Sequence, residues 1–146
     1  MKLFKILIAF LIGFMMVTSV SIAGDFDWMK DFSIKAEADS SGFKARLSTR
    51  FKIGNTEINA ILGNVGNSAD AYMVLRLGEM SGQPTEEVIK RYKSDKGKGW
   101  GVLAKNLGIK PGSQEFHALK SGDDLYGIKS NTKSKGKDKG KVKKKK

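Results

Sequence analysis

The chain carries a single histidine, His117, and no cysteine, which closes off much of the usual side-chain chemistry. A zinc centre draws on several imidazole or thiolate ligands, so neither a zinc site nor a Cys-His pair is expected. A Ser-His-Asp triad would have His117 as its only base. Glu115 and His117 stand two residues apart on a stretch read as helical, so they point to different sides of it. Glu86-Glu87 suits the first turn of a helix, where the dipole favours acids, and Asp123-Asp124 reads as a loop. Neither pair is placed like the flanking carboxylates of a glycosidase. The sequence therefore predicts no catalytic set, no cofactor and no metal. Its most suggestive run is Lys96-Gly97-Lys98-Gly99-Trp100-Gly101. Glycines let a backbone approach an anion, and Lys96 and Lys98 would neutralise it. A helix start follows, and Trp100 offers a stacking face. Together with His117 these three residues form the candidate binding set. The spacing fits no Walker or dinucleotide fingerprint. The plainer use of the same residues is a flexible connection, with Trp100 filling the core of the next helix.

The elements that must position these residues begin with a clean alternation. Phe32, Ile34, Ala36 and Ala38 alternate with Ser33, Lys35, Glu37 and Asp39. After Ser40-Ser41-Gly42 the pattern resumes with Phe43, Ala45, Leu47, Thr49, Phe51 and Ile53. Period two on both sides of a glycine-containing turn predicts a β-hairpin over about 31–53. Beyond Gly54 the period lengthens. Ile58, Ile61, Leu62 and Val65 predict a short amphipathic helix, and Met73, Val74, Leu77 and Met80 a stronger one ended by Gly82. Pro84-Thr85-Glu86-Glu87 opens another, with Val88, Ile89 and Tyr92 inward. Trp100, Leu103, Ala104 and Leu107 predict one stopped by Gly108, and Ser113 caps a last one carrying Phe116 and Leu119. The expected fold is α+β: an amino-terminal hairpin on a mainly helical domain of four or five short helices, about 55–120. The alternative is an all-helical domain with an extended arm. The segment Leu103–Ile109 and the helix after it have a helix-turn-helix outline, but the candidate recognition helix 113–120 holds one cation.

Several blocks of this region resemble a family of small, uncharacterised bacterial secreted proteins. They are Ala69-Asp70-Ala71-Tyr72-Met73-Val74-Leu75-Arg76-Leu77-Gly78-Glu79-Met80-Ser81-Gly82, then Gly99-Trp100-Gly101, then Ala104–Ser113 and Glu115-Phe116-His117-Ala118-Leu119-Lys120. The resemblance covers roughly residues 31–126 and implies no activity, substrate or cofactor.

The two ends supply the functional expectation. Lys2 and Lys5 precede an uncharged run from Ile6 to Ala23, and Ser21 and Ala23 place small residues before Gly24. That order of parts predicts a secretory signal over 1–23, cleaved between Ala23 and Gly24, with no transmembrane segment left afterwards. Without cysteine, an exported domain has no disulfide framework and rests on its core. Residues 24–128 hold 15 basic and 14 acidic side chains, whereas 129–146 hold ten lysines and one acid, Asp138. The polybasic tail, with Lys133, Lys135, Lys137, Lys139, Lys141, Lys143, Lys144, Lys145 and Lys146, has almost no apolar surface to bury and is expected to be disordered. Export removes genomic DNA as a partner. The sequence points to a periplasmic or secreted interaction module with an unknown protein partner, its tail engaging an anionic envelope surface or polymer. An extracellular polyanion or nucleic-acid binder, or an accessory subunit of an envelope enzyme, are the alternatives.

Overall fold

The first two elements are helices, not strands. In the computed structural model, which describes residues 26–130, α1 spans Trp28–Ala38 and α2 spans Ser40–Phe51. The expected α+β fold with a hairpin over 31–53 is therefore corrected. Among the described residues no strand or sheet forms, and the one isolated β-bridge joins Gly122 to Lys129. The extended arm of the alternative is absent too, because the same stretch is helical.

The reason lies inside the alternation. A period-two pattern contains a period-four pattern, and side chains four apart share a helix face. The bulky members follow that longer period: Trp28, Phe32 and Ala36 are buried on α1, and Phe43 and Leu47 on α2, with Phe51 partly buried. Of the members that served only the two-residue period, Ala38, Ala45 and Thr49 are small, Ile34 is 57% exposed, and Ile53 packs partly buried beyond the end of α2. Ala36, Glu37, Lys44, Ala45, Arg46 and Leu47 are also good helix formers. Asp39 then separates the two helices. Its backbone leaves the helical region at φ −138°, ψ 74°, and its Oδ1 accepts from the Gly42 amide at 2.9 Å, capping α2. What resembled a hairpin turn is a helix start.

The rest of the chain adds α3 (Asn55–Asn64), α4 (Ser68–Ser81), α5 (Thr85–Ser94), α6 (Trp100–Asn106) and α7 (Gln114–Ser121). Asn67 caps α4 through its side chain, Gly82 ends it in the left-handed region at φ 66°, and Ser113 caps α7. The α4 helix packs against α1, α3 and α5. Ala69, Ala71–Leu75, Leu77 and Gly78 are all buried, so it lacks the one-sided stripe of a surface helix and forms the axis of the core. Around it stands an aromatic cluster. Trp28, Phe32, Phe43, Phe51, Tyr72 and Tyr126 meet mostly edge to face at centroid distances of 4.9–6.0 Å. Each such pair contributes about 0.5–1.5 kcal/mol beyond its buried area.

After α7 the chain folds back over this cluster. Asp123, 7% exposed, accepts from the amides of Leu125, Tyr126 and Ile128, and so holds the loop closed. Gly122 sits at φ 146°, and a Cβ there would stand 2.1 Å from the Ile128 carbonyl oxygen, so only glycine fits. The loop ends at Ser130. Its amide donates to the Ser121 carbonyl at 2.9 Å, and its hydroxyl lies 2.7 Å from Asp27 Oδ1 and 2.9 Å from the Lys120 carbonyl. The signal segment with its Ala23–Gly24 junction, and the lysines from Lys133 to Lys146, lie outside the described residues. Among the described residues no helix is long and apolar enough to cross a membrane.

Candidate functional site

The lysine-glycine loop lines a cleft, but its charges are not those of a simple anion cradle. The α5 helix ends at Ser94, and Asp95 knots the following turn to α6. Its Oδ1 accepts from Lys98 Nζ at 2.9 Å and its Oδ2 from Asn106 Nδ2 at 2.8 Å. The Lys98 hydrogen bond, followed by that of Asn106, holds the Asp95 carboxyl below the usual carboxylate range. Gly97 and Gly99 adopt φ 89° and 90°, values a side chain would resist, and bring the chain round to Trp100.

Trp100 stacks on Tyr92 of α5 with centroids 5.3 Å apart and planes 23° from parallel. The Tyr92 hydroxyl donates to Asp70 Oδ2 at 2.8 Å, on the first turn of α4. Burial, reinforced by Asp70, pushes the Tyr92 phenol up, so it stays protonated and a donor. Asn67 Nδ2 also reaches Asp70 Oδ2, at 3.2 Å, while Asn67 Oδ1 accepts the Asp70 amide at 2.9 Å. Asp70 forms no ion pair among the described residues. Of these, Asp70, Tyr92, Asp95 and Trp100, with Lys96 and the buried Leu103, line a cleft of about 260 Å³.

Of the four residues expected to bind, the structure brings two, Lys96 and Trp100, to one cleft. Lys98 turns to Asp95 beside it. His117 is exposed on α7 and does not line the cleft, and among the described residues its ring has no carboxylate or hydroxyl partner. Asp70 and Asp95 also line the cleft, and the sequence reading passed them over. Nothing in the spacing of Asp70 and Asp95 marks them as converging. Among the described residues no group of three His, Asp or Glu side chains is placed to hold a metal ion.

A second polar cluster stitches the closing loop to the core. Arg50 binds Glu79 through two parallel hydrogen bonds of 2.9 and 2.8 Å and reaches Asp124 Oδ2 from Nε at 3.0 Å. Arg76 lies 3.0 Å from Glu79 and 3.2 Å from Asp124. The Tyr72 hydroxyl donates to Asp124 Oδ1 at 2.8 Å and accepts the Asp124 amide at 3.1 Å. The Arg50 hydrogen bonds draw the Glu79 carboxyl down. At Asp124, burial works upward, but the Arg50 and Tyr72 hydrogen bonds and both guanidinium charges outweigh it. Beside this cluster runs a wider groove of about 600 Å³ along α2, edged by Arg46, Thr49 and Lys52. Two guanidiniums facing two carboxylates, joined by the Tyr72 hydroxyl, fasten the closing loop to α2 and α4. Compared with protein-family models, with curated proteins and with solved structures, the chain matches none.

Proposed function

We propose that the chain is an exported binding module, a nearly neutral helical body held against anionic envelope polymers by its lysine-rich segment. The observation that carries this is where the charge begins. The described body ends in a fastened residue, Ser130, hydrogen-bonded to Ser121 and beside Asp27. Nine of the ten lysines of 129–146 follow that point. They are tethered at one fixed place on a body that contributes little charge of its own. Each lysine reaching an anionic surface contributes about 1 kcal/mol before ordering and screening losses. Attraction of that kind fades beyond a Debye length of about 8 Å at physiological salt.

The test compares the mature chain with one ending at Ser130 and with a full-length variant whose nine tail lysines are glutamine. Anionic vesicles, neutral vesicles and duplex DNA serve as probes over a salt series. The expected result is binding to both anionic probes that falls steeply with salt and is lost in both altered proteins. Equal binding by all three proteins, or binding that persists at high salt, overturns the proposal. Mass determination of the exported product should find Gly24 at its amino terminus, and a product starting at Met1 would remove the export signal from the reading.

A further inference from the structure

Beyond the tail, the cleft between α4, α5 and α6 has the makings of a ligand site on the folded body. We propose that it takes one ring of a neutral, hydroxyl-rich sugar, stacked against the Tyr92–Trp100 pair with hydroxyls donating to Asp70. Three observations select this class. The first is size: about 260 Å³ lies just below the roughly 300–1,000 Å³ of sites for drug-sized ligands, so the cleft admits a single ring.

The second is charge. An anion would meet the carboxylates of Asp70 and Asp95, of which only Asp95 is paired with a cation. A cation would meet Lys96 at the same wall, a lysine that forms no ion pair among the described residues. A carboxylate and an ammonium, neither in an ion pair among the described residues, therefore oppose both kinds of ion while each remains able to hydrogen-bond a hydroxyl. The third is the aromatic wall. Two stacked rings, both half-buried, offer a rigid apolar surface with a fixed polar edge, which suits a ring that is apolar on its C–H face and polar around its rim. On Asp70, Oδ2 is occupied by Tyr92 and Asn67, whereas no hydrogen bond among the described residues reaches Oδ1. The carboxylate is thus held in place by one oxygen and left open at the other.

The experiment is ligand-observed NMR on the purified mature chain, with saturation transferred from its aromatic protons. The probes are maltotriose and diacetylchitobiose, with butylammonium and inorganic phosphate as charged comparators at equal concentration. The expected result is saturable transfer to the C–H protons of one of the two sugars and none to butylammonium. Phosphate, whose protons exchange with water, is followed by its phosphorus line width on the full-length variant whose nine tail lysines are glutamine, so that the tail contributes nothing, and the line should stay unchanged. Asp70→Asn should weaken sugar binding by about tenfold, the loss of one charge-assisted hydrogen bond. Trp100→Leu, which leaves the Asn67–Asp70 cap in place, should weaken it at least as much. Thermal melts establish that each variant is folded, and either folded variant suffices. No transfer to either sugar, tighter binding of an ion, or unchanged affinity in a folded variant overturns the proposal. Because the residues that line the cleft belong to the folded body, the glutamine variant of the tail should bind the sugar as the parent chain does.

Discussion

The Tyr72 hydroxyl joins positions 52 residues apart, donating to the Asp124 carboxylate and accepting from its amide. Its ring is 1% exposed at the centre of the aromatic cluster. Tyr72→Phe keeps the ring and leaves two polar groups of Asp124 short of a partner, which should lower stability by about 1–3 kcal/mol in a denaturant titration. Glu79 and Asp124 give the same fastening an acid-sensitive side. Both carboxyls titrate lower in the folded chain than in the unfolded one. In acid the unfolded state then binds more protons, so their contribution is present above the unfolded carboxylate pKa and is lost as pH falls through the folded value. Both side chains are more than a third exposed, so screening leaves about 1 kcal/mol or less for each. Melts between pH 7 and pH 2.5 should show the midpoint falling in acid. Glu79→Gln should flatten that fall while lowering the midpoint at pH 7.

At the scale of elements, α1 and α2 show how a strand pattern can conceal a helix. A hairpin would bury Ile34 and Phe32 alike, whereas in the helix Phe32 is fully buried and Ile34 is not. Phe32→Ala should therefore cost about 3–5 kcal/mol and Ile34→Ala less than about 0.5 kcal/mol, read from denaturant midpoints. Asp39→Ala, which removes the cap of α2, should cost about 1 kcal/mol. From Asn55 onward the sequence was legible, because Ile58 and Ile61, then Val74 and Leu77, repeat at helical spacing with caps and glycine stops at their ends. The first two helices were misread because alternation at two and recurrence at four coincide. Residue size decides between them: the bulky side chains of Trp28, Phe32, Phe43, Leu47 and Phe51 keep to every fourth position. Of the cleft, Lys96 and Trp100 could be picked out as neighbours in sequence. Asp70, from another helix, could not, since tertiary packing alone brings it to Tyr92.

At the scale of the whole molecule, the segment 122–130 acts as a clasp. Tyr126 packs on Phe32 with centroids 5.1 Å apart, Asp124 engages Arg50, Arg76 and Tyr72, and Ser130 closes on Ser121. A chain ending at Ser121 should melt at least about 10 °C below one ending at Ser130, since about 1 kcal/mol shifts the midpoint of a domain this size by about 4–8 °C. The same clasp brings the first and last described turns together, with the Ser130 hydroxyl 2.7 Å from Asp27. A body whose chain enters and leaves at one point hangs like a pendant and is not strung like a link. Tension between Asp27 and Ser130 is borne by their contact together with the hydrogen bonds from Ser130 to Lys120 and Ser121 at the end of α7. Positions 27 and 130 could be joined by a short linker and the chain reopened in the turn after Ser94 with its helices undisturbed, and the body 27–130 could be set into a surface loop of another protein without prising its host apart.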